Sequence, residues 1–272
     1  MFFKSAMLLA LSLIVVTLVS GALSKTARPA QDTAKATEQS LAGNKKKSQL
    51  TERERDDAAT PVVDLSSYPT GVSTDRLLKN SRYDNRGIVK SEIDASVASV
   101  VSEASEHISD LPADESDLIV EGRVTDSAAF LSNDKGAVYM ELTVDISNVW
   151  KDTSGLNLRN GDSIITERFG GRVKYPNGQI VRYGIVGQGS PAKGTCYVFF
   201  LSRTEQGSYS VLTAYELQGN KVQALDGSRV NFGRGDWVFD KHNDEDYQTF
   251  RKEMEQAVKN PPSGKQKKRF NP

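Results

Sequence analysis

The clearest pattern in the chain is the run VYMELTVDI at residues 138–146. Its apolar and polar residues alternate strictly. One face carries Val138, Met140, Leu142, Val144 and Ile146, and the other carries Tyr139, Glu141, Thr143 and Asp145. A period of two residues over this length is typical of a strand in an antiparallel sheet with one face in the core. The run therefore predicts a fold built on an antiparallel sheet.

Further strand signals lie on both sides of this run. Strands are predicted at 118–125, 163–168, 196–201, 209–217 and 222–225, with turn residues between them. Residues 175–180 predict a hairpin, because Asn177-Gly178 at the centre tolerates the positive φ angles of a tight turn. Many short strands separated by turns indicate an all-β sandwich or barrel.

Two segments have helical spacing instead. Near the C-terminus, Asn243 or Asp244 can cap a helix, and its apolar stripe is formed by Tyr247, Phe250, Met254 and Val258. We expect this helix to close an open side of the sheet. Apolar residues between 88 and 108 also recur at helical spacing and predict an amphipathic helix, although the many Ser and Val residues there are modest helix formers.

The order of these segments resembles a known group of domains. Residues 116–124, the long strand that ends at 148–151, residues 161–164 and residues 194–201 are similar to uncharacterised secreted bacterial proteins and to the netrin-like, tissue-inhibitor-like domain. Residues 130–136 resemble the bacterial set in particular. The resemblance implies a small OB-type barrel and supplies no catalytic residue. Together with the strand and helix patterns, it leads us to expect a mainly β fold, a small antiparallel OB-like barrel with a C-terminal helix.

Cysteine content separates this chain from the eukaryotic inhibitors in that group. Those domains use several disulfides and an N-terminal Cys that reaches the protease metal, whereas this chain has the single Cys196. Protease inhibition therefore does not carry over from the resemblance. Cys196 lies in an apolar run, so we expect a buried and inert thiol.

The N-terminus predicts export. Lys4, an apolar run over 6–19 and small residues over 20–24 form the pattern of a signal peptide. The alternative is an uncleaved membrane anchor, since residues 5–24 could just cross a bilayer, and this segment would then be the molecule's only membrane contact. Both alternatives place the domain outside the cytoplasm, as a periplasmic, envelope-associated or secreted protein.

The rest of the chain divides by composition. Residues 25–60 are polar and charged and predict a disordered tether, and residues 61–111 a linker. A single β-barrel domain is expected over 112–259, followed by a basic tail over 260–272, for which we also expect disorder.

Charge and histidine content exclude several function classes. The chain has 35 basic and 35 acidic residues, so no global field indicates nucleic acid as a partner. Its two histidines, His107 and His242, lie far apart and lack the spacing of a zinc site or a catalytic triad. We therefore expect no metal, no cofactor and no nucleophilic catalysis.

Arginine and tyrosine are concentrated around the predicted hairpin. The candidate ligand-binding residues are Arg168, Arg172, Tyr175, Arg182 and Tyr183. Arg and Tyr are enriched where proteins bind partners, and OB-type barrels commonly bind through such a face. The alternative is a set of ordinary cross-strand pairs on a solvated sheet.

These observations predict an exported, non-catalytic binding or envelope-assembly module. Its partner would be an envelope protein or a wall polymer. Two alternatives remain open. One is a hydrolase of wall glycan or peptide that uses carboxylates such as Asp162 and Glu167. The other is an inhibitor of an exported hydrolase, by analogy of fold.

Overall fold

The computed structural model describes residues 54–69, 71–85, 89–90, 97–99, 108–185, 187–228 and 237–260. Over these residues the strands are β1 Val62–Asp64, β2 Val89–Lys90, β3 Val97–Ser99, β4 Leu118–Leu131, β5 Val138–Asp152, β6 Ser163–Phe169, β7 Gly171–Lys174, β8 Ile180–Gly184, β9 Cys196–Arg203, β10 Tyr209–Gln218 and β11 Lys221–Ala224. The helices are α1 Thr74–Ser81, a 3₁₀ helix Val238–His242 and α2 Tyr247–Lys259, and residues 54–59 form a helical turn.

Five strands form a nearly closed barrel. Their order is β6, β5, β4, β9, β10, and each neighbouring pair is antiparallel. β10 then meets β6 in parallel over two residue pairs, Tyr209 with Thr166 and Ser210 with Glu167. A partly open five-stranded barrel is the OB-type architecture. The predicted mainly β, OB-like barrel with a C-terminal helix is therefore confirmed.

Side-chain alternation fills the barrel interior. The apolar face of 138–146 points inward, as predicted, and its residues are at most 3 % exposed. The interior is completed by Leu118, Val120, Val124, Ile164, Tyr197, Phe199 and Leu201. Strand β9 is central, but Cys196 at its first position is half-buried rather than buried, because it pairs only with Arg123, at the end of the β4–β9 ladder.

Helix α2 covers the outer face of β9, β10 and β11. Phe250 and Met254 are fully buried there against Val198, Phe200 and Tyr215. The cap is Asp246, whose Oδ1 accepts hydrogen bonds from the amides of residues 248 and 249, at 3.0 and 3.2 Å. The predicted stripe is confirmed and the predicted caps, Asn243 and Asp244, are wrong.

A second sheet has the order β1, β7, β8, β3, β2. The hairpin β7–β8 turns at Asn177-Gly178 as predicted, with Gly178 at φ 83° and its amide 2.8 Å from the Tyr175 carbonyl oxygen. Strand β3 lies within the stretch 88–108 that we predicted to be helical. Its parallel pairing with β8 overrides the local helical spacing.

The N-terminal segment contributes more structure than the sequence indicated. Residues 54–60 belong to the predicted tether, yet they are helical over 54–59 and contact the barrel domain. Residues 1–53, 91–96, 100–107 and 261–272, with the predicted export signal, most of the tether and the basic tail, lie outside the described residues. Among the described helices, none is both long and apolar enough to span a membrane.

Candidate functional site

Arg168 does not lie on an exposed face. Its cross-strand partner is the interior residue Met140, so Arg168 points into the barrel and is 2 % exposed. There it forms an ion pair with Asp226. The Asp226 carboxylate also accepts hydrogen bonds from the Gly189 amide and the Thr213 hydroxyl, both at 2.9 Å. Arg168 is thus held within the molecule, and our expectation of an exposed side chain is wrong.

Arg172 and Arg182 face each other across β7 and β8, and residues of the same chain lie over them. Arg182 pairs with Asp56 and Asp57, and its Nη1 is 2.9 Å from Asp57 Oδ1. Arg172 Nε donates to the Thr60 carbonyl oxygen at 3.0 Å. These two arginines therefore hold the helical turn 54–59 and the residue that follows it.

The two predicted tyrosines also bond within the molecule. The hydroxyl groups of Tyr175 and Tyr183 are 2.8 Å apart, and Tyr183 is only 7 % exposed. Burial and the hydrogen bond with Tyr175 raise the pKa of Tyr183. The structure brings four of the five predicted residues together on the β7–β8 hairpin, but their polar groups bond to this chain.

Helix α1 covers a second polar face, on the outside of β5 and β6. Glu141 and Glu167 are cross-strand partners there. Arg76 binds Glu141 through two hydrogen bonds of 2.6 and 3.1 Å, and Lys79 Nζ lies 2.9 Å from Glu141 Oε1. Arg82 binds Glu167 with its Nη2 2.5 Å from Oε1. The two neighbouring carboxylates are thus neutralised by three cations from one segment.

Aromatic packing fixes α1 in this position. Tyr83 stacks on Tyr139 with ring centroids 4.2 Å apart, and the Arg76 guanidinium lies 3.6 Å from the centroid of Phe130. Burial raises the pKa of Tyr139 to about 12. Burial alone would raise the pKa of Glu141, but the hydrogen bonds from Arg76 and Lys79 outweigh it and lower that pKa. The sequence signal that we missed is the spacing of three cations at 76, 79 and 82.

The proposed carboxylate pair of a hydrolase does not assemble. Glu167 is fully buried and ion-paired, while Asp162 is exposed and accepts a hydrogen bond from the Arg159 amide at 2.7 Å. Five residues of extended chain separate them, about 16 Å at the rise of a strand. Glycan cleavage requires two carboxyl groups about 5–10 Å apart.

His242 lies in a charged cluster that the spacing of its residues in the sequence does not indicate. It is fully buried, with Nδ1 2.6 Å from Glu245 Oε2 and Nε2 3.2 Å from Asp110 Oδ2. His242, Glu245 and Glu253 offer ligand atoms within 4.8 Å of one another, so they could hold a metal ion. Lys241 Nζ already supplies a cation, 2.9 Å from Asp110 and 3.4 Å from Glu253. The cluster is therefore satisfied by side chains of this chain.

A groove of about 670 Å³ lies between the helical turn 54–59, β1 and β4. Most of its lining is small or apolar. The small residues are Ala58, Ala59, Ser127, Ala128, Ala129 and Ala192, and Pro61 and Val62 form part of one wall. The charged lining residues are Arg55 and Lys193, both cations. We call this feature the β4-edge groove.

The edge of β4 that faces this groove lacks a neighbouring strand in the described part of the chain. Strand β9 pairs with β4 only from Leu118 to Arg123, and a bulge follows between Val124 and Asp126. The last main-chain hydrogen bonds on that side join Val124 to Thr195 and Gly194. Beyond the bulge, β4 continues to Leu131 with β5 on one side only.

The ladder between β4 and β5 determines which main-chain groups point into the groove. The Ser132 amide donates to the Ala137 carbonyl oxygen at 3.0 Å, which makes that pair a hydrogen-bonded one. Bonded and non-bonded pairs alternate in an antiparallel ladder, so Ser127 and Ala129 are non-bonded to β5. Their N–H and C=O groups point away from β5, toward the groove. Among the described residues, no other main-chain group bonds to these groups, and the Ser127 amide has the side-chain carboxylate of the adjacent Asp126 as its acceptor.

Comparison of the chain with models of known protein families finds no match, and comparison with curated proteins finds none either. The geometry of the described residues is therefore the basis for interpreting the site. Neither the groove nor the edge had a signal in the sequence, because their walls come from segments more than 60 residues apart.

Proposed function

We propose that the protein is an exported, non-catalytic binding module of the cell envelope and that the β4-edge groove is its binding site. The observation that carries this proposal is the main-chain edge at Ser127 and Ala129, which no strand of the described residues pairs with on this side, within a groove of about 670 Å³. That volume lies in the range of ligand sites in proteins. Open strand edges are also common protein-binding elements.

The surroundings of the groove favour binding over catalysis. Glu167 is buried in an ion pair and Asp162 lies about 16 Å away along the strand, so this pair supports no hydrolase. The groove's charged lining consists of two cations, which do not form a general acid–base pair. The OB-like architecture agrees with the resemblance to secreted bacterial proteins. Export itself rests on the composition of residues 1–24.

An envelope protein fits the groove better than a wall glycan. The groups exposed at Ser127 and Ala129 alternate between main-chain donors and acceptors, and the main chain of another polypeptide presents the same alternation. A glycan offers hydroxyl groups without this fixed spacing. We therefore place an envelope protein ahead of a wall polymer as the partner.

A capture experiment with a filled groove tests this proposal. The full chain, tagged at its C-terminus and expressed in its native host, is chemically crosslinked, and captured envelope proteins are identified. Ala58→Trp fills the groove from the exposed side of the helical turn, and Leu156→Trp is the matched control, since Leu156 is 53 % exposed on a distant loop. We expect Ala58→Trp to lose a captured protein that Leu156→Trp retains. Equal capture by both variants would remove the groove as the site.

A further inference from the structure

The main-chain geometry of the β4-edge groove indicates how a partner binds, an inference that rests on the proposed function. We infer that the groove accepts an extended peptide segment by β-strand addition to β4 at Ser127–Ala129, and that this peptide carries acidic side chains. The partner is thus an envelope protein with an exposed, acidic, extended segment. The inference depends on the exposed main-chain groups, the small side chains and the local charge.

The exposed main-chain groups have the spacing of a pairing edge. Ser127 and Ala129 are two residues apart and point the same way, so their N–H and C=O groups lie about 6.7 Å apart along the strand. An added strand would exchange hydrogen bonds with both residues. Strand addition obtains its affinity from such main-chain bonds and its specificity from neighbouring side-chain pockets.

The small side chains allow a peptide to come close enough. A neighbouring strand must lie about 4.8 Å from β4 to form hydrogen bonds. Ala128 and Ala129 on the edge, and Ala192 beside it, leave that space open. Across the groove, Ala58 and Ala59 form a shallow wall that can accept side chains of the peptide.

Local charge selects the class of peptide. The side chains of Arg55 and Lys193 are 50 % and 63 % exposed. Their partners are Glu216 and Asp126, with Lys193 Nζ 2.9 Å from Asp126 Oδ1. Exposed ion pairs of this kind contribute only about 0–1 kcal/mol, so both cations can re-pair with carboxylates of a ligand.

The same charge argues against the chain's own ends as the occupant. The N-terminal segment contains Lys45-Lys46-Lys47, and the C-terminal segment contains Lys265, Lys267, Lys268 and Arg269. Basic segments lack the carboxylates with which Arg55 and Lys193 could re-pair. The adjacent Pro261-Pro262 also lacks the amide donors that a paired strand needs. Neither basic end is therefore the acidic occupant, and we place that occupant on another protein.

Removal of a single amide donor tests strand addition. Ser127→Pro deletes the N–H that points into the groove and leaves the ladder with β5 unchanged, because Pro is tolerated on strand edges. Ser127→Ala is the matched control, since it removes the hydroxyl and keeps the N–H. The probe is the acetylated and amidated heptapeptide EVETEVE, which alternates acidic residues with strand-forming ones, and its affinity for the full chain is measured by isothermal titration calorimetry.

We expect Ser127→Pro to weaken binding of this peptide about tenfold, the effect of one hydrogen bond near 1.4 kcal/mol, and Ser127→Ala to change it less than about twofold. N-methylation of alternate peptide amides should abolish binding, and a KVKTKVK peptide should bind more weakly. Hydrogen exchange should show protection of residues 127 and 129 in the complex. Unchanged melting temperatures confirm that each variant is folded.

Strand addition would be overturned if the two Ser127 variants bound the peptide with equal affinity. It would also be overturned if the unaltered protein bound the N-methylated and unmethylated peptides with equal affinity. Equal affinity of the basic peptide would overturn the acidic partner. If the peptide experiments contradict strand addition but Ala58→Trp still loses its captured protein, the inferred binding mode is wrong and the proposed function stands. Failure of both experiments would remove the proposed function as well.

Discussion

Arg168 and Asp226 depend on each other inside the barrel. Arg168 is 2 % exposed and Asp226 is 6 % exposed, so the loss of either partner leaves a charge in the core. The remaining bonds of Asp226, from the Gly189 amide and the Thr213 hydroxyl, offset only part of that cost. A buried ion pair of this kind is costly to break even where its net contribution to stability is small.

Arg168→Ala should therefore lower the free energy of unfolding by about 3–5 kcal/mol, measured by urea denaturation at pH 7. Arg172→Ala is the control on the hairpin. Its side chain gives one partly buried hydrogen bond to the Thr60 carbonyl oxygen, so the expected loss is about 0.5–1.5 kcal/mol. Similar losses in the two variants would contradict the different roles that the structure gives them.

The side of a strand on which a residue lies is predictable from the sequence, but the partner of a buried charge is not. Ile164, Thr166 and Arg168 share the inward side of β6, and alternation alone indicates this side. We expected Arg168 on an exposed face because Arg and Tyr are enriched where proteins bind partners. Asp226, 58 residues further on, gives no local sign that it supplies that partner.

Helix α1 belongs to the fold because of the charges beneath it. Ser73 caps the helix by accepting a hydrogen bond from the Arg76 amide at 3.3 Å. Glu141 and Glu167 lie opposite each other on β5 and β6, an arrangement that is destabilising for two like charges. The cations of α1 turn this repulsion into an attraction. The docking of α1 is thus sensitive to the protonation of Glu141.

The pH dependence of stability should show this directly. The pKa of Glu141 is lowered from its usual 4.5 in the folded protein. A depressed folded pKa contributes stability that is complete above about pH 4.5 and is lost as the pH falls through the folded value. Glu141→Gln should therefore flatten the fall in unfolding free energy as the pH drops below about 4.5. Glu205→Gln, at an exposed turn, is the control. An acid slope that Glu141→Gln leaves unchanged would refute this role.

The barrel strands and the β7–β8 hairpin were predictable, and the other strands of the second sheet were not. Long alternating runs such as 138–146 carry their own signal, and they became strands close to the predicted bounds. Strands β1 and β3 have only three residues each and pair in parallel with β7 and β8. Strands of three residues that pair with segments far away in the sequence are too short to show an alternating pattern of apolar and polar residues. The β4-edge groove has the same origin, since it forms where residues 54–62 meet β4.

Arg182 connects two parts of the molecule near this groove, the β7–β8 hairpin and the helical turn 54–59. It joins the β7–β8 hairpin to Asp56 and Asp57 of the helical turn, and that turn also provides the groove wall with Ala58 and Ala59. Loss of Arg182 would leave two carboxylates without their cation. The wall would then open more often.

Arg182→Ala should accelerate amide hydrogen exchange of residues 55–60 several-fold, because local opening needs less free energy without the ion pairs. Lys174→Ala is the matched control. Lys174 lies on the same hairpin as Arg182 and pairs with Asp64 of β1, but its side chain is 47 % exposed. It should leave exchange at 55–60 unchanged. Equal acceleration in both variants would show that Arg182 has no special part in holding the wall.

The parallel pairing of β1 with β7 also sets the order of events while the chain is being made. Asp64 cannot form its ion pair until Lys174, 110 residues later, has been synthesised. At about 5–20 residues per second, that wait lasts about 5–20 s, during which Val62 and Val63 have no sheet to join. The cations of the α1 segment likewise have no carboxylate partners on β5 and β6 until Glu141 and Glu167 have been synthesised. The segment that leaves the ribosome first therefore packs only after strands β5, β6 and β7 have been made.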